Sequence, residues 1–281
     1  MTEIEQKVCD TLIRAGSTFR EDQKAAYRRA IEKEPGTISC WVMRQILDNA
    51  LVAEKNHRPL CDDTGIPHLF LEVGPHCHVT GEIIEQIHTG VRMGLRKLPG
   101  RPMAIMGDDN ARIDQSGGLD HDSGALKPSP IIIKSVKEDV LRLTVLMLGG
   151  GPAIRGLTQR IFHKHSVEVV IDEIVNRAIP AVSQLGCSPC TLAVGIGRSQ
   201  FEATSLMIEA MAKGNYDVQS DFEKTITDRV NESNVGALGL GGKTSVLATF
   251  AKIGPQRASG VRIVALRPCC CFEPRRAEVE L

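Results

Sequence analysis

The chain has 281 residues, 42% hydrophobic and 24% charged, an ordinary globular composition. Lys and Arg number 34 and so do Asp and Glu, and only 4% of residues are aromatic. With neither a basic field nor stacking material, the composition argues against a nucleic-acid partner. No apolar stretch approaches the ~20 residues that span a bilayer, so no membrane partner is expected. Residues 1–14 are charged and lack the apolar core of a secretory signal, so the chain reads as cytoplasmic.

The first sixty or so residues read as helices. Ile4, Val8 and Leu12 repeat at helical spacing, and Gly36-Thr37 breaks the chain. Thr37 is placed to cap a helix holding Trp41, Val42, Ile46, Leu47 and Leu51. Next comes Arg58-Pro59-Leu60-Cys61-Asp62-Asp63-Thr64-Gly65, a Pro/Gly-bounded turn. The apolar run 69–73 behind it predicts a buried strand. Ile83, Ile84, Ile87, Val91 and Leu95 mark a further amphipathic helix, ended by Pro99-Gly100. Residues 105–129 are polar and read as a long irregular loop, which in a folded domain is more often functional than idle.

Residues 130–136 and 140–148 are near-continuous apolar runs, predicting two strands covered on both faces. The second empties into Gly149-Gly150-Gly151-Pro152, either a tight turn or a close approach of backbone to a ligand. Residues 167–185 read as a helix, 192–197 as a strand, and Ser199 caps another helix that Gly214 ends. A helix over 222–230, a glycine-rich stretch 236–242 and strands over 244–250 and 261–266 complete the pattern. The fold class is α+β: one helix-rich domain over 1–281 with a mixed sheet, in which 1–57 is helical support and 58–281 carries the site.

Nine cysteines, an odd number in a chain with no secretory signal, point to metal, redox or nucleophile chemistry rather than a disulfide framework. Cys61 suits a soft metal, and Asp62 and Asp63 can bind or titrate a ligand beside it; equally, Asp residues favour turns on their own account. Cys187-Ser-Pro-Cys190 follows a helix and precedes a strand, the reverse of a thioredoxin-like redox pair. A zinc site from that pair and two of Cys269, Cys270 and Cys271 is an alternative. Gly239-Leu-Gly-Gly-Lys-Thr244 lacks the leading glycine of a phosphate loop and precedes a strand, so nucleotide binding is rejected.

Five motifs in order, over about residues 40–278, resemble the alpha subunit (N-terminal half) of iron–sulfur fumarases and L-tartrate dehydratases. Cys61-Asp62-Asp63-Thr64-Gly65 stands where that family has Cys-Gln-Asp-Thr-Gly. Cys187-Ser-Pro189 followed by Val194-Gly-Ile-Gly197 matches Cys-Pro-Pro and its glycine strand. Cys271-Phe-Glu-Pro-Arg275-Arg276 matches Cys-Trp-Ala-x-Arg-Arg, and the glycine triplet and Gly-Leu-Gly-Gly-Lys-Thr segment also match. The resemblance implies a hydro-lyase acting on a small dicarboxylate, with a [4Fe–4S] cluster on Cys61, Cys187 and Cys271, Cys190 and Cys269 being the alternatives. It implies Asp63 as a catalytic group, and Asp62, Arg101, Gly150 and Gly151 as substrate contacts. The family's acid/base lies in a C-terminal domain or beta subunit, which implies an alpha2beta2-type assembly.

Three departures stand out. Asp62 replaces a glutamine, placing a carboxylate near a dianionic substrate, an unfavourable arrangement unless it is protonated or paired. Ser188 replaces a proline. The family's histidine ahead of the last cysteine is not evident. These departures leave a non-catalytic metal-binding interaction subunit, iron–sulfur or zinc, as the alternative function.

Overall fold

The computed structural model describes residues 1–281. In chain order the elements are α1 (Glu3–Ser17), α2 (Glu21–Lys33), α3 (Ile38–Lys55), β1 (Ile66–Val73), α4 (Gly81–Lys97), α5 (Asp109–Asp114), β2 (Ile132–Ser135), β3 (Leu141–Leu148), α6 (Gly150–Ala153), β4 (Leu157–Phe162), α7 (Val167–Leu185), β5 (Cys190–Gly197), α8 (Gln200–Lys213), α9 (Asp221–Asn231), β6 (Val246–Ile253), β7 (Val261–Cys269) and β8 (Arg275–Glu280). The fold is α+β, with two mixed four-stranded sheets. No helix is long and apolar enough to cross a membrane.

The helix ends follow local chemistry. Thr2 and Glu5 form a capping box at the start of α1, and Ser220 with Glu223 repeats it on α9. Thr37 accepts the Cys40 N–H at 3.0 Å, the cap expected for α3. Ser199 accepts the Glu202 N–H at 3.2 Å and starts α8. Within 105–129 the chain does not stay irregular: Asp108 caps the Ala111 N–H at 2.9 Å and supports the short α5.

The chain divides into two units. The first comprises Met1–Thr18, Val52–Gly149 and Arg275–Leu281. Its sheet has the order β2-β1-β3-β8. β1 runs antiparallel to β3, and β3 antiparallel to β8, whereas β1 and β2 are parallel. Alternate residues Leu69, Leu71, Leu143, Val145 and Met147 share one face and pack with Val8 and Leu12 of α1 and Ile87, Val91 and Leu95 of α4. β2, expected to be covered on both faces, is instead a largely exposed edge strand. Edge strands lose cover on one side by position, which an apolar run does not reveal.

The second unit comprises Phe19–Leu51 and Gly150–Pro274. Its sheet has the order β4-β7-β5-β6, with β5 and β6 parallel and the other pairs antiparallel. Cys190, Leu192, Val194 and Ile196 of β5 pack with Ile171, Ile174, Ala178 and Val182 of α7 and Ile226 and Val230 of α9. The other face of β5 carries α8. There a Cβ on Gly195 would collide with the Ala203 carbonyl oxygen. The glycines of Val194-Gly195-Ile196-Gly197 therefore serve close helix–strand packing. The strands β4 and β8 have no counterpart in the sequence-based expectations; each is completed by a long-range partner, β7 and β3 respectively.

Candidate functional site

In the first unit the Cys61 turn is anchored from several sides. The Leu60 N–H donates to the Gly16 carbonyl of α1 at 3.0 Å, and the Thr64 N–H donates to the Asp62 carbonyl at 3.0 Å. Gly65 has φ +87°, in the left-handed region that favours glycine. A Cβ on Gly65 would lie 2.8 Å from the Leu148 carbonyl carbon and 2.9 Å from Nη2 of Arg275. The turn thus rests directly on the end of β3 and on Arg275, a guanidinium only 2% exposed.

The same turn gathers the predicted polar residues of this unit. Cys61 is half-buried, and its Sγ lies 3.5 Å from Oδ1 of Asp62. Asp62 is exposed and Asp63 half-buried. The buried Thr64 hydroxyl accepts the Arg101 N–H at 2.9 Å, which ties the Pro99-Gly100-Arg101 segment to the turn. The Arg101 guanidinium then sits 3.7 Å from Oδ2 of Asp62. Thus the carboxylate that replaces the family glutamine is paired with the arginine expected to bind substrate. The pair is exposed, and exposed pairs contribute at most about 1 kcal/mol, so its effect is on local charge rather than on folding.

The other predicted residues belong to the second unit. Gly150 and Gly151 begin α6, with Gly150 exposed and Gly151 half-buried. Cys187 is exposed in the turn after α7. That turn is locked by its neighbours: the Ser188 hydroxyl donates to the Gly236 carbonyl at 2.6 Å, and the Leu238 N–H donates to the Ser188 carbonyl at 3.0 Å. Ser188, standing where the family has proline, therefore couples the Cys187 turn to the glycine-rich stretch.

Cys271 is 7% exposed and lies just beyond β7, where the Glu273 N–H closes a turn on the Cys270 carbonyl at 3.0 Å. The Tyr27 hydroxyl donates to the Cys271 carbonyl at 2.8 Å. Phe19 packs between Tyr27 and Phe272, with centroids 5.6 and 6.0 Å away. Glu273 is fully buried and pairs with Arg267 at 3.0 Å. Sequence reasoning missed this support, and only the clustering of charged residues beside the last cysteines hinted at it.

The alternative cysteines are placed differently. Cys190 and Cys269 lie inside strands β5 and β7 and are 0% exposed. Burial pushes the Cys190 thiol well above its ordinary range, keeping it protonated. The Cys269 thiol packs 3.5 Å from the Met211 sulfur. Within neither unit do three His, Cys, Asp or Glu side chains gather into a metal-holding group. Cys61, Cys187 and Cys271 each sit at a turn, and none of the nine cysteines forms a disulfide. Three thiols of that kind fit a soft iron centre by donor chemistry.

Comparison with known proteins adds the relationship. The family model described as fumarate hydratase (Fumerase) matches residues 5–280. The chain belongs to the fumarate hydratase family. Within it, the chain is 27% identical to a putative L(+)-tartrate dehydratase subunit alpha of Methanocaldococcus jannaschii over 269 residues, covering 92% of this chain and 90% of the relative. It is 23% identical to the L(+)-tartrate dehydratase subunit alpha of Escherichia coli K12 over 243 residues, covering 85% and 78% respectively. The first of these matches spans nearly all of both chains.

Proposed function

We propose that this protein is the alpha subunit of a hydro-lyase that adds or removes water in a small hydroxy-dicarboxylate of the malate or tartrate type. The observation that carries this reading is the Cys61 turn, where a half-buried thiol and two carboxylates stand together and Arg101, tied in through Thr64, pairs with Asp62. The family membership and the names of the two relatives support the same chemistry.

Cys61, Cys187 and Cys271 are the residues that would hold a [4Fe–4S] cluster. When bound by three thiolates, such a cluster supplies a Lewis-acidic iron toward a substrate hydroxyl. Arg101 offers a planar fork that binds one substrate carboxylate in two parallel hydrogen bonds. Asp62 pairs with that fork in the absence of substrate and competes with the substrate carboxylate for it. Asp63, half-buried in the rigid turn, exchanges a proton with the reacting hydroxyl. Gly150 and Gly151 present backbone N–H groups to the second carboxylate. The relatives carry the designation "subunit alpha", and a beta chain supplies the base that takes the carbon-bound proton, in an alpha2beta2-type assembly.

The test is anoxic purification of the chain with its co-expressed beta partner, followed by iron and sulfide analysis and dicarboxylate turnover. Cys61→Ala should lose both cluster and turnover; an intact cluster in that variant overturns the ligand assignment. Arg101→Ala should raise KM with the cluster retained. A second reading, a non-catalytic iron–sulfur interaction subunit, draws on one observation: Asp62 offsets the charge of Arg101. Turnover of any hydroxy-dicarboxylate by the assembled protein eliminates it.

A further inference from the structure

Lys243, in the segment rejected as a nucleotide loop, lines a cavity of about 200 Å³ within the second unit. Arg29 and Lys33 of α2 and Lys224, Asp228 and Asn231 of α9 share its wall. Arg29 is occupied: its Nη1 lies 2.7 Å from Oδ1 of Asp217, and its Nη2 donates to the Tyr216 carbonyl at 3.3 Å. The charge that remains on the wall is that of Lys33, Lys224 and Lys243 against the carboxylate of Asp228, and the buried Glu34 carboxylate against Gly242 brings the local net charge to +1.

The neutral wall groups have little left to give. Oδ1 of Asn231 accepts the Ser245 and Val246 N–H groups at 2.8 Å each, and its Nδ2 donates to the Val246 carbonyl at 3.0 Å. Gln219 donates to the Thr249 carbonyl at 2.7 Å, and the Thr227 hydroxyl to that of Thr249 at 2.9 Å. The open hydrogen-bonding capacity of the cavity is therefore mostly cationic. A space of this size is roughly 4 Å in radius, well inside the Debye length of about 8 Å at physiological salt, so the three fields add rather than being screened apart. It is smaller than the roughly 300 Å³ at which pockets for drug-sized ligands begin, so it accommodates a phosphoryl group rather than a whole nucleotide.

We propose that this cavity binds a compact dianion of the phosphate class. Lysine ammonium groups act as point charges around a tetrahedral anion, whereas planar carboxylates are better served by the arginine fork, which Asp217 already occupies. The source is either free phosphate or the phosphoryl end of a small phosphomonoester. The proposal does not depend on the hydro-lyase reading, because the cavity shares no residue with that site.

The experiment is thermal unfolding of the full chain titrated with inorganic phosphate, glycerol phosphate or malonate, each at constant ionic strength set with chloride. Inorganic phosphate should raise Tm saturably. In Lys224→Gln/Lys243→Gln the midpoint should move at least about tenfold upward, since each charge-assisted hydrogen bond is worth that much or more. Both lysines are exposed, so the double variant should fold normally. Stronger saturation with glycerol phosphate identifies the phosphomonoester as source. An unsaturable response, or one equal in the double variant, overturns the site. Tighter binding of malonate than of either phosphate overturns the ligand class.

Discussion

Asp62→Gln should tighten binding of a dicarboxylate. The Asp62 carboxylate lies 3.7 Å from the guanidinium of Arg101. A substrate carboxylate held by that guanidinium would stand about 6 Å from Asp62. Two like charges at that distance repel by about 0.7 kcal/mol in water and about 2.8 kcal/mol at an effective dielectric constant of 20. Asp62 is 87% exposed, so the lower part of that range applies, and glutamine should improve affinity by about 3- to 20-fold. The gain should shrink at 0.5 M salt, where the Debye length is about 4 Å. The assay is calorimetric titration of the assembled protein with succinate, a dicarboxylate that lacks the hydroxyl group, at two salt concentrations. Unchanged or weaker binding by Asp62→Gln at low salt would refute the reasoning, because it would mean that Asp62 helps the substrate rather than competing with it.

Glu273→Ala should cost about 3–5 kcal/mol in urea unfolding, because it strands the Arg267 guanidinium, 7% exposed, in the interior; a loss under about 1 kcal/mol would contradict the buried-pair argument. Asp122 behaves differently. Two hydrogen bonds from Arg96, at 2.9 and 2.6 Å, hold its carboxyl down to about 2. Because the folded value lies below the unfolded one, its contribution is complete above the ordinary aspartate range and is lost as pH falls toward about 2. Asp122→Asn should therefore flatten the fall of stability with pH on the acid side, and slopes identical to wild type would count against it. In chain freed of iron, iodoacetamide should label exposed Cys187 quickly and leave Cys190 unlabelled until unfolding; equal labelling rates would mean that β5 opens readily.

The helices were legible because their periodicity and caps agree. Thr37, Ser199 and the apolar repeat of α4 each point to the same boundary as the structure. Strands β1, β3 and β5 to β7 were legible as apolar runs bounded by Gly or Pro. β4 and β8 were not, since Leu157–Phe162 and Arg275–Glu280 carry mixed, charged sequences that become strands only by pairing with β7 and β3. Exposure of β2 depends on which side of the sheet it joins, and that too is a long-range property.

In the site, the turn at Cys61 was readable from Pro59, Asp62, Asp63 and Gly65 alone. The meeting of Arg101 with Asp62 was not, because it depends on Thr64 drawing in a segment 37 residues away. The separation of Cys187 from Cys190 likewise came from where β5 begins, not from the spacing of the pair.

Iron and sulfide analysis of the anoxically purified chain with its beta partner, in wild type and in Cys61→Ala, decides whether the three thiols hold a cluster. Wild type should carry about four irons and four sulfides per chain, with a broad visible absorption, and the variant should lose them. Stoichiometric zinc in wild type, or an unchanged cluster in Cys61→Ala, would contradict that assignment.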